Sequence, residues 1–173
     1  GVLTEVLARY GPGEVREITN RELMRKVMST TFHGRDVFAP VSAHLAAGVP
    51  FESVGKLVTD WIKLDRQEAT RDGDTLAGVA VAIDRPFGNL LTNIPGGWLT
   101  DLGLKRGDMA TVRLGDSGTT LRVPLADTFG DVPEGKPLLY VNSRGRVSLA
   151  LNMGNFAEVH ATGRGTPVTV TKK

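Results

Sequence analysis

The 173-residue sequence has no cysteine, which excludes disulfides and thiolate metal sites and fits a reducing cytoplasm. It also lacks an excess of charge of one sign. The formal net charge is +2, and the basic residues are scattered apart from Lys172-Lys173, so nucleic acid and acidic partners receive no support from charge. No apolar run approaches the roughly 18 residues of a membrane-spanning helix, and no signal-peptide pattern opens the sequence; a soluble, cytoplasmic protein is expected. The only histidines, His33, His44 and His160, follow no metal-ligand spacing, and no metal is expected. There is no G-x-G-x-x-G, no Walker loop and no G-x-S-x-G elbow, which removes the usual signals for phosphate binding and serine hydrolysis. Internal repeats and low-complexity segments are absent too.

What is present is an ordinary globular composition, 40% hydrophobic, long enough for one domain or two small ones. Up to about Arg71 the signals are helical. Leu3, Val6, Leu7 and Tyr10 share one helical face, and Gly11-Pro12-Gly13 ends that segment. Glu14 to Ile18 alternates like a short strand. Thr19-Asn20-Arg21-Glu22 has the form of a capping box and predicts a helix over Asn20 to Met28. Val37 to Ala47 reads as a further helix with Pro40 in its first turn and Gly48 as its stop. After Asp72-Gly73-Asp74 alternation takes over, with strands predicted over Thr75 to Ile83, Leu90 to Ile94, Met109 to Leu114, Thr119 to Pro124, Leu138 to Val141, Val147 to Leu151 and Pro167 to Thr171. Turns such as Gly115-Asp116-Ser117-Gly118 separate them. The expected architecture is an α/β N-terminal domain, partial here, over residues 1–72, followed by an all-β, barrel-like C-terminal domain over 73–173.

Three stretches concentrate chemistry. In Thr31-Phe32-His33-Gly34-Arg35-Asp36 an imidazole stands at a helix start, where free amides and the dipole favour an anion or a polarised water. Locally, the better reading of His33 is a core histidine hydrogen-bonded to backbone, with Arg35 and Asp36 as a capping ion pair. In Asp84-Arg85-Pro86-Phe87-Gly88-Asn89 a carboxylate, a phenyl ring and a carboxamide could bind a sugar diol, stack on a heterocycle and read a polar edge; these residues are also ordinary turn formers. The third runs from Tyr140 through Ser143 and Arg144 to Leu151-Asn152-Met153-Gly154-Asn155. It combines a hairpin turn with uncharged donors and acceptors suited to a purine edge.

Taken together and in order, "TFHGRDVFAPVSAHLAAGV", "IDRPFGNLLTNI" and "YVNSRGRVSLALNMGNFAE" resemble three blocks of the S-adenosyl-L-methionine (SAM) hydroxide adenosyltransferases, or SAM hydrolases, relatives of the fluorinating and chlorinating adenosyl-halide synthases. The resemblance implies a substrate, SAM, with no cofactor; products adenosine and L-methionine; and homotrimers with each site between the N-terminal domain of one subunit and the C-terminal domain of the next. Water or hydroxide would attack ribose C5′. The leaving group is already a sulfonium, so catalysis reduces to placing and desolvating the nucleophile.

By position, His33 matches the water-handling histidine of an Asp–Arg–His set, where the halogenating relatives carry tyrosine. Phe32 and Gly34 match residues beside the reacting carbon. Asp84, Phe87 and Asn89 match an adenosine- and methionine-binding turn; Tyr140, Ser143 and Arg144 match contacts to the amino-acid or adenine part. Leu151, Asn152 and Met153 match a segment meeting the adenine edge largely through backbone. Leu91 stands where relatives carry tryptophan. The resemblance also places a first block, with the Asp and Arg partners of the histidine, upstream of Gly1, so this chain is expected to be a fragment that is catalytically poor alone. Arg35 and Asp36 are not expected to be those partners. Other readings are a halide-using adenosyltransferase, a non-catalytic SAM- or adenosine-binding module and a structural barrel without ligand.

Overall fold

The computed structural model describes residues 4–11, 13–65, 67–115 and 118–172. Leu3 of the first amphipathic face, Pro12 of the following turn, Asp116-Ser117 of a predicted turn and Lys173 lie outside the described residues. The chain divides into two compact units, Gly1–Asp65 and Arg66–Lys173.

The first unit is helical. Helix α1 covers Thr4–Tyr10. The Thr4 hydroxyl accepts a hydrogen bond from the Leu64 amide at 3.0 Å. Residues 15–19 and 54–58 run antiparallel through Glu17 N to Lys56 O (3.0 Å) and Val58 N to Val15 O (2.8 Å). The strand expected over Glu14 to Ile18 is therefore reduced to one bridge, Arg16 to Leu57.

The helix expected over Asn20 to Met28 is a single 3-10 turn, Arg21–Leu23. Its cap is Asn20 rather than Thr19: Asn20 Oδ1 accepts from Glu22 N at 3.0 Å, while its Nδ2 donates to Ser53 O at 2.9 Å. Beyond Leu23 the backbone donor of Arg25 goes to Asp36 O, 3.0 Å away, instead of to the preceding turn. Tertiary partners thus take the bonds that the helix would need. Next comes one π-helical turn, Gly34–Phe38, continued by α2, Ala39–Ala46, with Pro40 in its first turn and Gly48 at φ +93° behind it. Leu23, Val41 and Val54 form the small core of this unit, with Ile18, Met24 and Leu45 packed on it.

The second unit is a nearly closed antiparallel barrel. Its strands are β1 (Thr70–Asp72), β2 (Thr75–Asp84), β3 (Asn89–Pro95), β4 (Met109–Leu114), β5 (Thr119–Pro124), β6 (Pro137–Val141), β7 (Arg146–Leu151) and β8 (Pro167–Thr171). The order is β5-β4-β8-β2-β3-β7-β6, with β1 paired only to β2. The ends β5 and β6 meet through the Leu125–Leu139 bridge. All seven predicted strands form. Asp72-Gly73-Asp74, read as the break between domains, is instead the turn of the β1–β2 hairpin inside this unit, because Thr70 to Asp72 pair with Thr75 to Ala77.

Alternation explains the barrel interior: Leu76, Leu90, Ile94, Val112, Val123, Leu139, Leu149, Val168 and Val170 point inward and are buried. Two short helices, α3 (Gly97–Asp101) and α4 (Phe156–Val159), lie outside the sequence expectation. The fully buried ring of Phe156 pins α4 to the barrel. Truncating such a ring costs about 3–5 kcal/mol.

Candidate active site

A cleft of about 900 Å³ opens on the outer face of β3, β7 and β6. Strand register builds its floor. Leu91 and Tyr140 both lie opposite Ser148, so the three form a row across neighbouring strands on the face opposite the barrel core. The flanking turns then bring side chains to the rim. Asp84, Phe87 and Asn89 come from the β2–β3 turn, Ser143 and Arg144 from the β6–β7 turn, and Leu151, Asn152 and Met153 from the segment after β7. With Tyr140 on the floor, nine residues implied by the resemblance line one cavity.

Local hydrogen bonds fix each turn. Gly88 N donates to Asp84 O at 2.7 Å, and Ala157 N to Gly88 O at 2.9 Å, tying the first turn to α4. Gly88 has φ +74°, and a Cβ there would run into the Asn155 side chain. Asn155 in turn caps α4, its Oδ1 accepting from Glu158 N at 3.0 Å. Asn89 is buried, and its Nδ2 donates to Asp84 Oδ2 at 3.3 Å. In the second turn Asn142 is the organiser: its Oδ1 accepts from the amides of Arg144 (2.9 Å) and Arg146 (3.1 Å), and its Nδ2 donates to Ser148 Oγ at 2.9 Å. Ser143 and Arg144 project exposed from that turn.

The segment after β7 is more restricted than expected. Asn152 N donates to Lys136 O (3.0 Å), Asn152 O accepts from Gly135 N (2.7 Å), and its Nδ2 donates to Val132 O (2.8 Å). Those groups are spent inside the protein. The peptide of Met153, whose residue is exposed at φ +57°, has no partner among the described residues. Burial pushes the Tyr140 phenol up, and the nearby Asp84 carboxylate adds to that direction.

Phe32, His33 and Gly34 belong to the first unit and line none of this cleft. His33 precedes the π-helical turn, is exposed and makes no side-chain hydrogen bond among the described residues. It is not a core histidine. The neighbouring ion pair does form: Asp36, fully buried, accepts from Arg35 Nε (2.6 Å), Arg35 Nη2 (2.9 Å) and Ser29 N (2.8 Å). Arg35 chiefly, then the Ser29 amide, hold the Asp36 carboxyl far below the usual range. The Arg35 guanidinium also lies 5.0 Å over the Phe32 ring, so this pair fixes the backbone on both sides of His33. No cluster of His, Cys, Asp and Glu suited to a metal occurs among the described residues. No helix among them is long and apolar enough to cross a membrane.

Residues 78–169 match the SAM hydroxide adenosyltransferase C-terminal domain, and residues 1–55 match the N-terminal domain of the same family. The chain belongs to the SAM hydroxide adenosyltransferase family. A fluorinase from Actinopolyspora mzabensis is 38% identical over 99% of this chain and 58% of its own length. An (R)-S-adenosyl-L-methionine hydrolase from Thermus thermophilus is 37% identical over 80% of this chain and 48% of its own, and one from Salinispora tropica is 32% identical over 99% and 62%. The chain thus spans 58% of the first and 62% of the last of these curated relatives. A crystal structure of an uncharacterized conserved protein from Thermotoga maritima superposes with TM-score 0.77 at 37% identity, covering 99% of this chain and 64% of that one.

For a SAM hydroxide adenosyltransferase family member, the cleft holds residues that sequence reasoning missed. Phe129 and Asp127 line it from the β5–β6 connection, and the Phe129 ring lies 5.4 Å from that of Tyr140. The missed signal is Thr128-Phe129-Gly130-Asp131, a T-x-x-D capping box that sets Phe129 on a 3-10 turn.

Proposed function

We propose that the native protein hydrolyses S-adenosyl-L-methionine to adenosine and L-methionine. A water or hydroxide oxygen bonds to ribose C5′ as the C5′–S bond breaks; the bonding pair goes to sulfur, the sulfonium becomes the neutral thioether of methionine, and the water proton is lost to His33 or solvent. The observation that carries this reading is the gathering of Asp84, Phe87, Asn89, Tyr140, Ser143, Arg144 and the 151–153 segment around one cleft. Such a site offers rings for a base, a carboxylate for a diol and a cation for a carboxylate. Relatives named fluorinase and relatives named hydrolase match at similar identity. Water is therefore assigned on His33, an exposed imidazole able to orient or deprotonate it. The resemblance further supports a homotrimer in which His33 of one subunit serves the cleft of the next.

Incubating SAM with the native protein and separating the products tests the proposal. Adenosine is expected; its absence, or 5′-halo-adenosine at physiological halide, contradicts it. A second reading, a SAM- or adenosine-binding module, is favoured by one feature: the described residues that line the cleft, from Asp84 to Asn155, belong to the second unit. Calorimetric binding without turnover at native length would select it.

A further inference from the structure

The Phe129 wall of the cleft has no strand to hold it. Phe129 is 43% exposed and sits on the 3-10 turn Phe129–Asp131. Asp131 fixes that turn from behind: its Oδ2 accepts from the amides of Asp127 (2.9 Å) and Thr128 (3.1 Å), and its Oδ1 accepts from Arg106 Nη2 at 2.6 Å. Arg106 Nη1 also lies 3.5 Å from Asp127 Oδ2. Asp127 lines the cleft; Arg106 does not. Arg106 comes from the turn before β4, which is itself tied to the end of β5 through Gly107 N to Leu125 O (2.8 Å) and Leu125 N to Asp108 O (2.9 Å). One guanidinium therefore joins the turn before β4 to two carboxylates, Asp127 and Asp131, of the loop that carries the ring.

We propose that Arg106 is a positioning residue for base recognition: by clamping Asp131 and Asp127 it keeps Phe129 beside Tyr140 and offsets the carboxylate at the cleft, so that a planar, uncharged base is accepted. The inference depends on the adenosyl-binding reading above. Exposed ion pairs contribute little to global stability, so the effect belongs in binding rather than in melting.

Titrating adenosine into the native-length protein by calorimetry tests this with the parent, Arg106→Gln, Arg106→Lys, Phe129→Ala and the Arg106→Gln/Phe129→Ala double variant. Arg106→Gln is expected to weaken adenosine about fivefold to tenfold, part of the value of one base–aromatic stack. Arg106→Lys should recover part of that loss. In the Phe129→Ala background, Arg106→Gln should cost nothing further, a coupling that a merely structural role would not produce. Unchanged affinity for Arg106→Gln, or an equal loss on top of Phe129→Ala, overturns the positioning role while leaving the cleft's ligand intact. Should Arg106→Gln fold poorly, Asp131→Asn, which keeps an oxygen for the two amides and removes the ion pair, is expected to show the same weakening, and parent-like affinity would overturn the role. Failure of the parent to bind adenosine overturns the base-binding reading and this inference with it.

Discussion

At the scale of single residues, His33 and His160 illustrate opposite uses of an imidazole. His33 is exposed beside the Arg35–Asp36 ion pair, and His33→Ala should lower SAM turnover about 10²–10⁴-fold, the usual loss for an acid–base group. A variant as fast as the parent would make it a bystander. His160 is half-buried against Phe156 at 4.4 Å between ring centroids, and its Nε2 has no hydrogen-bond partner among the described residues. Burial holds its pKa below the ordinary value of 6.5. In the window between that lowered value and 6.5 the unfolded chain binds more protons than the folded one, so stability rises with pH there. The melting temperature should fall on acidification from about pH 7 to about pH 5, and His160→Leu should remove part of that slope. Equal slopes for the two proteins would place the titration elsewhere.

Among individual residues, the sequence showed charge type more readily than partner. Arg35 and Asp36 could be read as a helix-start ion pair because they are adjacent there, and that pair forms. Phe129 could not be read as facing Tyr140, because the strand pairing that joins them is set by barrel closure and not by local pattern.

At the scale of elements, the β2–β3 turn is the most constrained part of the cleft. Gly88 combines a left-handed backbone with contact to the Asn155 side chain that caps α4. Gly88→Ala must accept about 1–2 kcal/mol of backbone cost and displace Asn155 as well. It should lower the melting temperature and weaken adenosine binding together, read by thermal denaturation and calorimetry; binding retained at parent strength would separate the turn from the ligand. Strands were the legible elements. Period-2 alternation between turn residues marked all seven, with Met109–Leu114, Thr119–Pro124 and Pro167–Thr171 matching to the residue. Helices were less so. The capping-box pattern at Thr19 was real as sequence, but Thr19 N and Asn20 N both donate to Val54 O, and the helix ends after one turn. Helices α3 and α4 are too short for any periodicity to register.

At the scale of the whole molecule, the two units carry different parts of the account. The second has a large barrel core and a formed cleft; the first has a small core and presents His33 on its surface. The cleft was legible only as two separate blocks, the Asp84–Asn89 turn and the run from Tyr140 to Asn155, whose convergence needed the register of β3, β7 and β6. The central claim is chemical, a water oxygen delivered to ribose C5′ of SAM. It is tested most directly by running the reaction of the native protein in heavy-oxygen water and analysing adenosine by mass spectrometry. The account predicts solvent oxygen at the 5′ position of the product. Adenosine with unlabelled 5′ oxygen, or a 5′-halogenated product in its place, would contradict it.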